Sequence, residues 1–142
     1  MFQKKQAISR LFLKKKRCSI LIHKKTTSFT AYIPHSSVIG SSNFQFFKII
    51  DLEPRVNYRM SLKIKVQKPI IINIKYVLAK TPWTAYASTQ IKAVPDKENY
   101  TCILKPEPAN KNFQTPGSIR FFLGDLDGEK IQISDLELIR EN

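Results

Sequence analysis

Two cysteines and two histidines in 142 residues leave little from which to build a metal centre or a disulfide framework. Cys18 and Cys102 lie far apart, and neither His23 nor His35 stands at ligand spacing from them, so no zinc site is expected. Buried free thiols are the expected state of both cysteines, and pairing would need adjacent strands in an oxidising compartment. No apolar run approaches the roughly 20 residues of a membrane span. There is no G-x-S-x-G, no H-E-x-x-H, no phosphate loop, and no pair of strand-borne carboxylates set for general acid and base work. The chain therefore reads as a binder and not as an enzyme.

Acid is missing from one end only. Residues 1–50 carry ten Lys or Arg and no Asp or Glu, whereas residues 51–142 carry fourteen basic and eleven acidic side chains. The net charge of +13 is thus mostly N-terminal. Such a stretch attracts nucleic acid, an anionic surface or an acidic polysaccharide alike, and is equally compatible with lysines that face water. Residues 1–17 read as a basic segment of uncertain structure. Their apolar runs are broken by Arg10 and by residues 14–17, so the apolar core and cleavage site of a secretory signal are not seen. An acid-free basic start also fits an organelle transit peptide, although the chain continues into strand-like sequence without a boundary.

What is abundant is β-forming sequence. In residues 58–67, Tyr58, Met60, Leu62, Ile64 and Val66 alternate with Arg59, Ser61, Lys63, Lys65 and Gln67. That period of two demands one buried and one wet face. After Pro69, residues 70–78 repeat the pattern through Ile70, Ile72, Ile74, Tyr76 and Leu78. Shorter runs at 19–22, 44–50, 89–94 and 100–104 read as further strands, and 36–43 and 106–117 as loops. In 118–123, Ile119, Phe121 and Leu123 alternate with Ser118, Arg120 and Phe122. Gly124-Asp125-Leu126-Asp127-Gly128 then predicts a turn and a hairpin back through residues 129–134. Ile131 and Ile133 hold one parity and Leu136 and Leu138 the other, which predicts a bulge near Ser134-Asp135. With no helical periodicity after residue 17, the expected fold is an antiparallel β-sandwich over residues 18–142.

These segments resemble a known family. SIRFFLGDLDGEKIQISDLELI (118–139) is similar to the closing strands of the carbohydrate-binding modules of families four and nine that accompany cellulases and xylanases. Those modules end in R-x-x-F-x-L-G, a turn, and I-D-D-V-x-L. LEPRVNYRMSLKIKVQKP (52–69) is similar to the family's turn-Tyr-strand middle segment. TPWTAYASTQIKAVPDKENYTCIL (81–104) is similar to its Pro-Trp-Thr stretch, and RCSILIHKK (17–25) to an earlier strand. The resemblance implies a galactose-binding-like jelly roll that binds a polysaccharide such as β-glucan or xylan without catalysis. It also implies company with a glycoside hydrolase and a secreted or cell-surface location. The family's N-terminal N-G-x-F-E strand has no counterpart, which leaves open a complete or a truncated or remodelled module.

Trp83 and Tyr86 form the densest aromatic pair. A pyranose packs its C–H face on a ring while polar neighbours bond its hydroxyls, so these two, with Gln90, Asn73 and Arg120 on strands, are the candidate sugar contacts. The same Trp packed over a sandwich edge, and the same polar side chains merely facing water, are the competing readings. No cofactor is expected. The family's structural calcium uses the first Asp of I-D-D-V, a position that is Ser134 here. That departure leaves Asp135, with Asp125 and Asp127 in the turn, as the remaining calcium candidates, and a solvated turn as their alternative.

Overall fold

A computed structural model of the chain describes residues 19–23, 28–32, 45–123, 126 and 128–141. The basic segment 1–17, Cys18, His35, the predicted loop 36–43, Asp125 and Asp127 lie outside the described residues. The described residues form nine strands: β1 (Ser19–His23), β2 (Ser28–Tyr32), β3 (Gln45–Ile49), β4 (Asn57–Lys65), β5 (Ile70–Leu78), β6 (Ala85–Ala93), β7 (Asn99–Leu104), β8 (Gly117–Phe122) and β9 (Lys130–Glu141). They form two antiparallel sheets, one in the order β1-β2-β9-β4-β7 and one in the order β3-β8-β5-β6. No described residue is helical.

The alternation read from β4 and β5 sets the sandwich. Met60, Leu62 and Ile64 from one sheet, and Ile72, Ile74 and Tyr76 from the other, are all buried and join Phe121, Ile131 and Ile133 in one core. Lys63 and Lys65 sit on the wet side of β4. Phe29 of β2 and Phe46 of β3 stack across the gap with centroids 4.0 Å apart, so a ring pair closes the space between sheets that face one another about 10 Å apart. Each such side chain contributes roughly 1.5–3 kcal/mol by leaving water.

Four tyrosines tie loops to this core. The hydroxyls of Tyr58, Tyr76 and Tyr86 accept the backbone N–H of Glu53, Leu52 and Gln114 respectively. Tyr100 accepts from Val94 N–H at 2.8 Å and donates to the Lys97 carbonyl at 2.8 Å. A buried phenol must find such a partner, and here the partner is always a connecting segment. Gly117 is required by the same packing, because a Cβ there would fall 1.9 Å from the Tyr76 hydroxyl oxygen.

The bulge expected near Ser134-Asp135 is present. Lys63 pairs with Ser134 and Ser61 with Glu137, so β9 carries one residue more than β4 between those rungs. Asp135 takes a φ of 53°, a left-handed conformation that Asp tolerates. The expected hairpin is not. β8 pairs with β3 and β5, and β9 pairs with β2 and β4, so the connection crosses from one sheet to the other. Leu126 explains the crossing, since it is 3% exposed and plugs the core at the point where a surface hairpin turn would have left it in water. The sequence reading also missed β2 and began β6 four residues late.

Candidate functional site

The outer face of the four-stranded sheet gathers the polar and aromatic side chains that the core parity leaves over. Register places them in rows. Gln45, Phe122, Asn73 and Gln90 lie side by side across all four strands, and Phe47, Arg120, Lys75 and Ser88 form the next row. Beyond them the β5–β6 connection stands at the edge. Leu78 N–H donates to Thr84 O, and Trp83 N–H donates to Lys80 O at 2.7 Å across a cis Thr81–Pro82 bond, closing a tight turn. Trp83 has a φ of 60° and is 53% exposed.

Arg120 organises this surface. Its Nε donates to Ser118 Oγ at 2.8 Å, and Ser118 Oγ in turn donates to the Val77 carbonyl. Nη1 donates to Gln45 Oε1 at 3.1 Å. The guanidinium lies 4.5 Å from the Phe47 ring centroid and 5.4 Å from that of Trp83, within cation–π reach of both rings. Burial pushes its pKa below the ordinary arginine value. Lys75 Nζ sits 5.4 Å from the centroid of Phe122. Together Gln45, Lys75, Val77, Trp83, Ala85, Arg120 and Phe122 line a hollow of about 340 Å³ that opens to solvent. One row away, Gln90 Nε2 donates to Asn73 Oδ1 at 2.8 Å, which orients both amides and leaves the Asn73 amino group and the Gln90 oxygen for a ligand.

Four of the five side chains singled out in the sequence therefore lie on one face: Trp83 and Arg120 in the hollow, Asn73 and Gln90 beside it. Tyr86 does not. It is 5% exposed, its ring centroid is 4.5 Å from that of Phe113, and its hydroxyl is engaged by Gln114 N–H, so it packs inward from the bulge where β5 and β6 change register. Phe47, Phe122, Lys75 and Gln45 were not singled out. Phe122 carried a signal, being an aromatic residue on the polar parity of its strand. Asp135 lies on the other sheet, with its carboxylate 3.6 Å from Lys63 Nζ and largely exposed.

At the level of sequence the chain matches no protein-family model and no curated protein. Its structure is similar to that of a CBM4 module, at a TM-score of 0.70 and 19% identity over 89% of this chain and 79% of that one. It is similar also to the N-terminal cellulose-binding domain of β-1,4-glucanase C from Cellulomonas fimi, at 0.62 and 13% over 88% and 89%. An arabinose-bound α-L-arabinofuranosidase contains the same sandwich as a minor part, with a TM-score of 0.60, 15% identity, and coverage of 89% of this chain but 22% of the enzyme. The fold is that of the carbohydrate-binding modules, a two-sheet antiparallel β-sandwich, as the resemblance in the sequence implied.

Proposed function

We propose that this chain is a non-catalytic polysaccharide-binding module that holds its ligand on the outer face of the β3-β8-β5-β6 sheet. The observation that carries the reading is the conjunction on that face of an exposed Trp83 ring, a second platform at Phe122, and an amide row through Asn73 and Gln90. A pyranose needs a flat apolar surface and oriented hydrogen-bond partners together, and a hollow of this size accepts one sugar ring with its neighbours passing over the sheet. The sandwich shared with a cellulose-binding domain supports the same reading, and extends the candidates to β-glucan and xylan. In this reading Trp83, Asn73, Gln90 and Arg120 contact sugar, residues 18–142 act as one module, and no step of bond cleavage is assigned to any residue.

Affinity electrophoresis of the full chain in gels containing soluble glucans, xylans and mannans, beside a DNA lane, tests it. Retardation by a glycan is expected, with no release of reducing sugar on prolonged incubation. Trp83→Gly is the informative variant, because it removes the ring while suiting the left-handed backbone. It should weaken glycan binding by about tenfold or more, corresponding to roughly 1–3 kcal/mol, with the thermal midpoint unchanged or raised. Unchanged retardation would remove Trp83 from the site, and retardation by DNA alone would overturn the reading.

A further inference from the structure

The four strands of the binding sheet contain no Asp or Glu at all: QFFKI, IIINIKYVL, AYASTQIKA and GSIRFF. They carry Lys75, Lys92 and Arg120 on the outer parity. Lys75 and Arg120 are directly opposite one another on adjacent strands, where Cβ atoms lie about 5 Å apart and like charges repel. Among the described residues neither forms an ion pair. The other sheet meets the same problem differently, setting Lys63 against Asp135 and Arg59 against Glu141. Arg120 is half-buried, where an unneutralised charge costs more than it does in water, and its contacts with Ser118, Gln45 and two rings supply no negative charge. A register that keeps two cations together, one of them partly dry, on strands that carry no carboxylate, is complementary to an anion brought by the ligand.

We infer that the preferred ligand of this face is an anionic polysaccharide, whose charged substituent sits between Lys75 and Arg120 while its pyranose ring lies against Trp83. This rests on the glycan-binding reading of the same face and narrows it from neutral glucan or xylan to acidic glycan. The shared chemistry is an anion carried on a sugar ring. A hexuronate carboxylate suits the planar fork of Arg120 most directly, and a sulfate ester meets the same two cations.

The test measures dissociation constants of the full chain for polygalacturonate, for the same polymer with its carboxylates reduced to hydroxymethyl groups, for a sulfated galactan, for a neutral β-glucan and for DNA. Lys75→Met and Lys63→Met serve as matched charge removals on opposite faces. Tighter binding of polygalacturonate or the sulfated galactan than of the uncharged polymers is expected. That preference should shrink about tenfold in Lys75→Met and stay unchanged in Lys63→Met. The two charged glycans separate carboxylate from sulfate as its source. Equal affinity for the charged and carboxyl-reduced polymers overturns the inference and leaves the glycan site standing. Binding of no glycan fails both readings. A preference that Lys63→Met reduces as much as Lys75→Met, or that DNA shares undiminished by Trp83→Gly, assigns the effect to general basicity and overturns the inference.

Discussion

The outer faces of the two sheets follow the same alternation and use their wet positions in opposite ways. On the five-stranded face cations meet carboxylates: Arg59 with Glu141 and Lys63 with Asp135. These are exposed pairs, each worth about 0–1 kcal/mol, and they answer two of the cations on that surface. On the four-stranded face Lys75 leans on Phe122 and Arg120 on Phe47 and Trp83, and the four strands carry no acid. A half-buried guanidinium with no carboxylate beside it is costlier than the same charge in water, whereas an exposed ion pair is nearly indifferent. On the proposed function, the first face is solvent-facing scaffold and the second the one that a ligand completes.

The sharpest way to break this contrast is to attack the aromatic residue beneath the binding face and not on it. Tyr86→Ala deletes a buried ring packed on Phe113 and Tyr76 and strands the Gln114 N–H, which should cost about 3–5 kcal/mol of stability. Tyr86→Phe keeps the ring and removes only the acceptor, for about 1–2 kcal/mol. Chemical denaturation checks both. In the folded population of Tyr86→Phe glycan affinity should equal that of the wild-type chain, so a specific loss of binding would return Tyr86 to the site.

A smaller effect separates the inside of the sandwich from the proposed binding face by pH. Burial pushes the Cys102 thiol up from 9.0 to about 11, and burial likewise raises Tyr58 and Tyr76 above their ordinary value of 10.0. A group whose folded pKa is raised keeps its contribution below the unfolded value and loses it as pH climbs through the folded one. Stability should therefore fall from about pH 9 upward, by on the order of 2–3 kcal/mol for Cys102 by the time pH 11 is passed. Cys102→Ala should flatten that arm between pH 9 and 11 in urea titrations, leaving the steeper tyrosine-linked loss above pH 10. An unaltered slope would show that Cys102 does not titrate as a buried thiol.

How much of this was readable in advance depended on what a period of two encodes. In β4 and β5 it named the buried rows correctly, because each strand has one face in the core and a one-residue error would have exposed five apolar side chains. The parity break at Ser134-Asp135 located a bulge for the same reason. Parity says nothing about which strand is the neighbour, so the β8–β9 turn read as a hairpin, and only the depth of Leu126 reveals that the chain crosses between sheets. Tyr86 failed for a related reason: a ring with a polar tip is compatible with a cleft wall or with a core that offers its hydroxyl one N–H. Phe47 and Phe122 were within reach, since aromatic residues on the polar parity of a strand need either a ligand or a cation to lie against.

The smallest expected effect concerns the bulge that orients the scaffold face. Asp135 combines two roles that substitution can pull apart, a left-handed backbone and an exposed pair with Lys63. Asp135→Asn keeps tolerance of the backbone and loses the charge, so stability should change by less than about 0.5 kcal/mol, and only at low salt. Asp135→Ala loses both and places a Cβ where left-handed geometry crowds it, for about 1–2 kcal/mol. Asp135→Gly loses the pair but relaxes the backbone and should sit near the wild-type value. The order Ala below Asn and Gly, measured by urea unfolding at two salt concentrations, assigns this residue to backbone shape. An order that follows charge instead, with Asn as damaging as Ala and both insensitive to the loss of strain in Gly, would mean that ion pairing holds the five-stranded face together, and the indifference ascribed to its paired charges would be wrong.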